Sequence, residues 1–76
     1  MIHAYTTVIT GGGTSQTVAE RVRELPNVTE AHVVAGDFDV IAEIEADDIH
    51  GIQDTVTSGI RSLEEVGTTR TYVRLD

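Results

Sequence analysis

Cysteine, lysine and tryptophan are missing altogether from this 76-residue chain, and proline occurs once. Without cysteine there is no disulfide framework, no thiolate zinc site and no thiol nucleophile. Without lysine, the cationic side chains other than histidine are Arg21, Arg23, Arg61, Arg70 and Arg74, scattered along the chain. Nucleic-acid binding through phosphates needs clustered basic residues, so direct contact with DNA or RNA is not expected. The longest apolar runs, such as Val40-Ile41-Ala42, are three residues, and none reads as a membrane span. Met1 leads straight into Ile2-His3-Ala4-Tyr5, with neither a basic stretch nor an apolar core behind it. No secretory leader is expected, and the expected compartment is the cytoplasm.

Aromatic residues are also few: Tyr5, Phe38 and Tyr72. A chain this short buries only roughly 60% of its unfolded surface, and such domains often need disulfides, metals or oligomerisation. With no cysteine, self-association is the expected remedy. What the chain has in excess is acid. Thirteen Asp and Glu against five Arg give a formal net charge of −8. Such a surface repels itself unless salt screens it. The imbalance reads as adaptation to a salt-loaded cytoplasm, with an ordinary acidic protein as the plainer alternative.

Hydrophobic periodicity supplies the elements. Ile2 to Thr10 is rich in β-branched and aromatic residues, with Ile2, Ala4, Thr6 and Val8 on one face and His3, Tyr5, Thr7 and Ile9 on the other. Gly11-Gly12-Gly13 breaks the strand, and Thr14, Ser15 or Thr17 can cap a helix, with Thr17 and Glu20 at capping-box spacing. Val18, Val22 and Leu25 form its apolar stripe, and Pro26-Asn27 ends it. Val28 to Ala35 reads as a second strand, Gly36-Asp37 as a turn, and Asp39 to Glu45 as a third strand. Asp47 and Asp48 are good N-caps. Ile49, Ile52, Val56, Ile60 and Leu63 trace a second helical stripe, and Thr68 to Leu75 reads as the last strand.

An internal repeat supports the order β-α-β-β-α-β. Sliding one 38-residue half of the chain over the other aligns Ala4 with Ala42, Gly13 with Gly51, Thr17 with Thr55 and Val18 with Val56. Arg23 falls on Arg61, Leu25 on Leu63 and Val28 on Val66. A duplicated βαβ unit predicts an α+β, ferredoxin-like fold: an antiparallel four-stranded sheet with two helices on one face. Residues 1–76 then form a single domain. Its other sheet face has no helix to cover it, yet both faces carry apolar groups, Ile2 and Val8 against Tyr5 and Ile9 on the first strand and Val33 against Val34 on the second. A second copy of the chain is the simplest cover, so dimerisation through the sheets is expected.

Chemistry-bearing patterns are sparse. The triple glycine lacks the Gly-Lys-Ser/Thr of a phosphate loop and the spacing of a dinucleotide fingerprint. His3, His32 and His50 show no metal-ligand spacing, and Ser15, Ser58 and Ser62 sit in no nucleophile elbow. No cofactor, metal or enzymatic activity is expected. Gly36-Asp37-Phe38-Asp39 stands out. It reads either as a hairpin turn with an anchoring aromatic or as a loop receiving a small zwitterion, its carboxylates facing the ammonium. Thr69 and Thr71 share one face of the last strand, opposite Arg70 and Tyr72. Their hydroxyls suit either β-propensity or a ligand headgroup.

Taken together, Leu25-Pro26-Asn27-Val28, then Gly36-Asp37-Phe38-Asp39-Val40-Ile41-Ala42, then Val66-Gly67-Thr68-Thr69-Arg70-Thr71-Tyr72, resemble the effector-binding domain of the leucine-responsive/asparagine regulator (Lrp/AsnC) family. The resemblance covers essentially the whole chain. It implies a ferredoxin-like protomer, dimers whose sheets face each other, and larger rings of dimers that bind amino-acid effectors between them. Gly-x-x-Asp and Thr-x-Thr carry over to Gly36, Asp39, Thr69 and Thr71, with Asp37 and Phe38 in the same loop. Glu65 stands where the family commonly has glycine. The family's helix-turn-helix domain has no counterpart here, so a stand-alone effector domain is expected, acting with helix-turn-helix paralogues rather than on DNA. The function expected is an amino-acid effector-binding and oligomerisation module that modulates transcription. The alternatives are a small dimeric enzyme of the antibiotic-monooxygenase type and a ligand-free assembly adaptor.

Overall fold

Alternation along the first strand settles which side of the sheet is buried. In a computed structural model, which describes residues 1–76, Ala4, Thr6 and Val8 of β1 (Ile2–Thr10) are fully buried, while their neighbours His3, Tyr5 and Thr7 are only partly covered. Helix α1 (Ser15–Arg23) follows, then β2 (Val28–Val33), β3 (Val40–Ala46), α2 (Ile49–Asp54) and β4 (Val66–Val73). The sheet order is β2-β3-β1-β4, with every neighbouring pair antiparallel. This is the ferredoxin-like arrangement that the repeat predicts.

β1 has the extent read from the sequence, and the other strands shift slightly. β2 ends at Val33 rather than Ala35, with one further in-register bond from the Val34 N–H to the Asp39 carbonyl at 2.8 Å before the segment bends at Gly36. β4 runs from Val66 to Val73 rather than from Thr68 to Leu75, because Val66 already pairs with Thr10. The Thr17–Glu20 capping box does not form. Thr14 occupies the N-cap, its hydroxyl donates to the Gly11 carbonyl at 2.7 Å, and Thr17 falls inside the helix. Asp48 does cap α2, accepting the Gly51 N–H at 2.9 Å. After Pro26, Asn27 takes a left-handed conformation (φ 73°), and its carbonyl accepts the Glu45 N–H at 2.9 Å.

The second helix changes its winding for a reason visible in its stripe. Ile52, Val56 and Ile60 recur every fourth residue and are all buried. At 3.6 residues per turn such a row drifts by about 40° per step. The chain continues from α2 as a wider π turn over Thr55–Gly59, which holds the row on the sheet, then closes with a 3₁₀ turn over Ile60–Ser62. Ile49, expected in the stripe, is 46% exposed. Val18, Ala19 and Val22 of α1 complete a core of thirteen buried apolar residues between helices and sheet.

The uncovered face differs from the apolar surface expected. Tyr5, Thr7 and His3 of β1 lie in register with Glu43, Ile41 and Glu45 of β3, and Glu30 and His32 of β2 follow beyond them. On the other side of β1 stand Arg70 and Tyr72 of β4. Val33 belongs to the helix side, paired with buried Val40, and is half-exposed because it lies at the edge. The face is therefore mixed, with acids over β2 and β3 and arginine on β4.

Candidate functional site

Asp39 ties the 34–39 segment to the end of β1. Its N–H donates to the Val8 carbonyl at 2.9 Å, and its carboxylate accepts the Thr10 N–H at 2.9 Å and the Thr10 hydroxyl at 3.5 Å. Gly36 bends the segment at φ 155°, which a side chain rarely tolerates. Anchored at one end and bent at the other, the loop lays Asp37 and Phe38 beside the uncovered face.

There they rim a cavity of about 590 Å³, completed by Thr7 and Ile9 of β1 and by Thr68, Arg70 and Tyr72 of β4. That volume lies within the usual range for small-molecule sites, roughly 300–1,000 Å³. An irregularity in the β1–β4 ladder shapes its floor. Val8 pairs with Thr69 and Thr10 with Val66, so Gly67 and Thr68 together oppose Ile9. A Cβ on Gly67 would lie 3.3 Å from the Ile9 carbonyl, which keeps the strands in close approach there.

The cavity holds one carboxylate, Asp37, and one guanidinium, Arg70. Neither belongs to an intrachain ion pair. The close pairs are His3–Glu45, His32–Glu30 and Arg74–Asp76. Elsewhere on the same face, the hydrogen bond from His32 (2.9 Å), reinforced by one from Glu43, holds the Glu30 carboxyl below its usual range. Glu43 is pushed up, chiefly by that same hydrogen bond with Glu30. Arg74 is held above its ordinary value by its hydrogen bond to the Tyr5 hydroxyl. No three His, Asp or Glu side chains come together as a metal site would require.

The six residues singled out in the sequence separate. Asp37 and Phe38 line the cavity, Gly36 makes its bend and Asp39 holds its loop. Thr69 and Thr71 point to the helix side of β4, in register with buried Val8 and Thr6, and the Thr71 hydroxyl meets that of Thr6 at 3.0 Å. The structure brings Arg70 and Tyr72, their alternating neighbours, to Asp37 and Phe38 instead.

Residues 3–76 match the family model described as the Lrp/AsnC ligand binding domain. The chain belongs to the Lrp/AsnC family. This Lrp/AsnC domain is 36% identical over 62 residues to an uncharacterised HTH-type transcriptional regulator of Pyrococcus horikoshii, covering 82% of the chain and 41% of the relative. A similar regulator of Pyrococcus abyssi is 32% identical over 65 residues, with 86% and 43% covered. The chain thus spans about two-fifths of the curated relatives it matches. A crystal structure of a Thermus thermophilus protein superposes with a TM-score of 0.95 at 36% identity, covering 100% of this chain and 95% of the other. Escherichia coli AsnC has the same fold, with a TM-score of 0.90 at 18% identity over 99% of this chain and 51% of the other.

In this Lrp/AsnC domain five cavity residues, Thr7, Ile9, Thr68, Arg70 and Tyr72, escape sequence reading. Alternation does place Arg70 and Tyr72 opposite Thr69 and Thr71. Which strand lies beside the 36–39 loop is a matter of sheet order, which no local pattern carries. The anchoring role of Asp39 is directly testable. Asp39→Ala leaves the half-buried Thr10 N–H without its acceptor, at an expected cost of about 1–3 kcal/mol. Asp39→Asn, which keeps an acceptor oxygen, should retain most of that stability. Thermal unfolding of both variants checks this, and equal losses would remove the anchor.

Proposed function

We propose that this chain is an amino-acid-responsive assembly module of transcription regulation. It acts as one ligand-binding unit, takes up a free amino acid beside the 36–39 loop, and associates with further copies through its uncovered sheet face. The observation that carries the reading is the cavity itself, whose lining includes Asp37 and Arg70, opposite charges without ion-pair partners, in one small-molecule-sized space. An amino acid presents the complementary pair, an ammonium and a carboxylate. The cavity opens on the side away from the helices, so a second copy laid on that face would roof it. Ligand and neighbour then share one site, and the ligand shifts assembly by its differential affinity for the assembled state. With a net charge of −8 and five dispersed arginines, the chain acts on transcription through helix-turn-helix partners rather than by holding DNA itself.

Two features weigh against an enzyme of the antibiotic-monooxygenase type, which would use a cavity between sheet and helices. That space is filled here by thirteen buried apolar side chains. The curated relatives are also named transcriptional regulators.

The test is a thermal-shift panel of the twenty amino acids in concentrated salt. A ligand at 100 times its dissociation constant adds roughly 2.7 kcal/mol, a rise of about 10 °C or more for a domain this size. Sedimentation with and without the hit reads the change in assembly. A flat panel from folded, associated protein would sink the sensor reading in favour of a ligand-free assembly adaptor.

A further inference from the structure

A second cavity lies on the helix side of the sheet, and two backbone irregularities make it. After α1 the chain turns through Leu25, Pro26 and Asn27, with Asn27 in its left-handed conformation (φ 73°). Against this turn stands the π turn that carries Thr55, Ser58 and Gly59, with Asp54 just before it. Gly59 permits the close approach, since a Cβ there would lie 3.0 Å from Leu25 Cδ1. The space between has a volume of about 310 Å³, at the lower end of the usual range for small-molecule sites. Backbone outliers and π turns both gather at functional sites. We infer that this cavity binds an organic cation, an alkylammonium or guanidinium group carried on a short apolar stem.

A count of donors and acceptors leads there. The Thr55 hydroxyl donates its one proton to the Gly51 carbonyl at 2.8 Å. Toward Asn27 it can therefore only accept, and the Asn27 Nδ2 lies 3.2 Å away. That contact fixes the orientation of the amide and leaves its Oδ1, an acceptor, on the other side. The Asp54 carboxylate belongs to none of the ion pairs of the chain. The Ser58 hydroxyl can give or take. The lining thus includes a carboxylate, an amide oxygen and a hydroxyl but no arginine or histidine, a set that suits a positive charge bearing several N–H donors and gives an anion no base. Leu25 and Pro26 supply apolar surface for the stem. The C-terminal end of α1, where the helix dipole favours cations, leads directly into this wall. Arg21 and Arg23 of its last turn are not among the lining residues, and Arg23 donates instead to the Ala31 carbonyl at 2.8 Å.

The cation can come from a free amine or from a lysine or arginine side chain of a partner polypeptide, and one NMR titration of the isotope-labelled full chain separates the two. The probes are butylammonium, butylguanidinium and putrescine, then lysine and arginine capped at both termini, with butanol and butyrate as controls. At least one cation is expected to shift the backbone amides of Asn27, Thr55, Ser58 and Gly59, while butanol and butyrate leave them in place. Asp54→Asn and Ser58→Ala should each weaken its binding at least about threefold. Neither substituted side chain belongs to the buried core, and circular dichroism would verify that the variants fold. Tighter binding by a capped residue than by the free amines assigns the cation to a partner polypeptide, and the reverse assigns it to a free amine; both uphold the site. Absence of shifts with every cation, shifts confined to the cavity of Asp37 and Arg70, equal shifts with butanol, or unchanged affinity in both variants would overturn it. Any of these would leave the amino-acid reading standing, because that reading concerns the opposite side of the sheet.

Discussion

Ile44→Ala is expected to lower stability by about 3 kcal/mol, within the 2–5 kcal/mol typical of buried isoleucine. Ile44 is 1% exposed and lies on the interior strand β3, opposite Ala4 of β1 and Val28 of β2. Small side chains flank it: Ala4, Ala31, Ala42 and Ala46 are all in the core. Such a core contains few large groups that could move to fill a cavity, so little of the cost should be recovered by collapse. Domain stability runs at roughly 0.05–0.15 kcal/mol per residue, so the loss is a large share of what a chain of this length possesses. The thermal midpoint should fall by roughly 12–24 °C, whereas Ile44→Val, which removes one methyl, should cost about 1 kcal/mol. Circular dichroism melts in concentrated salt measure both. A loss below about 1 kcal/mol for the alanine variant would mean that the two layers are not packed as described.

The second large effect comes from adding an atom rather than removing several. A Cβ on Gly51 would lie 2.7 Å from the Ala46 Cβ and 3.7 Å from an Asp48 carboxylate oxygen. Non-bonded carbons prefer about 3.5–4.0 Å, so the first turn of α2 would have to lift from the end of β3. Helix propensity favours alanine over glycine by about 1 kcal/mol. Overpacking costs about 1–3 kcal/mol and here also strains the Asp48 cap, so the net effect of Gly51→Ala is destabilising. The second substitution Ala46→Gly removes the opposing methyl. Combined with Gly51→Ala it should recover more stability than the sum of the two single effects allows, a coupling expected only of residues in contact. Additive losses in the double-mutant cycle would show that the clash is not the cause.

These two sites also show what sequence reading can reach. Ile44 falls on the buried face of a clear alternation, Val40, Ala42 and Ile44 against Ile41, Glu43 and Glu45, and its burial follows from period two alone. Gly51 is marked differently. It aligns with Gly13 in the internal repeat, yet Gly13 has a left-handed backbone and open space where a Cβ would be, whereas Gly51 has Ala46. The same residue at equivalent positions therefore serves two purposes. Backbone conformation and the close approach of α2 to β3 distinguish them.

The mixed character of the uncovered face teaches a related lesson. Read along β1 alone, Tyr5 and Ile9 suggest an apolar surface. Read across the sheet, Tyr5 lies between Glu43 and Tyr72, and Thr7 lies between Ile41 and Arg70. The character of a sheet face is a property of rows that run across strands. The pairings across β1 join residues more than thirty apart in the chain, and no short window along the sequence samples them.

The duplicated βαβ plan is read from the 38-residue repeat, while the elements, their order and the alternating faces of the strands are written in local pattern. They follow from periodicity, caps and breakers, which act within a turn or two of their own residue. Which side chains share a cavity is settled only when the sheet assembles. Asp37 and Phe38 are conspicuous in their loop, but Arg70 becomes their neighbour only because β4 pairs with β1 at the edge of the sheet and its ladder slips at Gly67 and Thr68. Alternation alone puts Thr69 and Thr71 opposite Arg70 and Tyr72, and the pairing of β4 with Val8 and Thr6 of β1 turns them to the helix side. A pairing register is set by the whole buried face at once, and shifting it by one residue would exchange the cavity lining for the core.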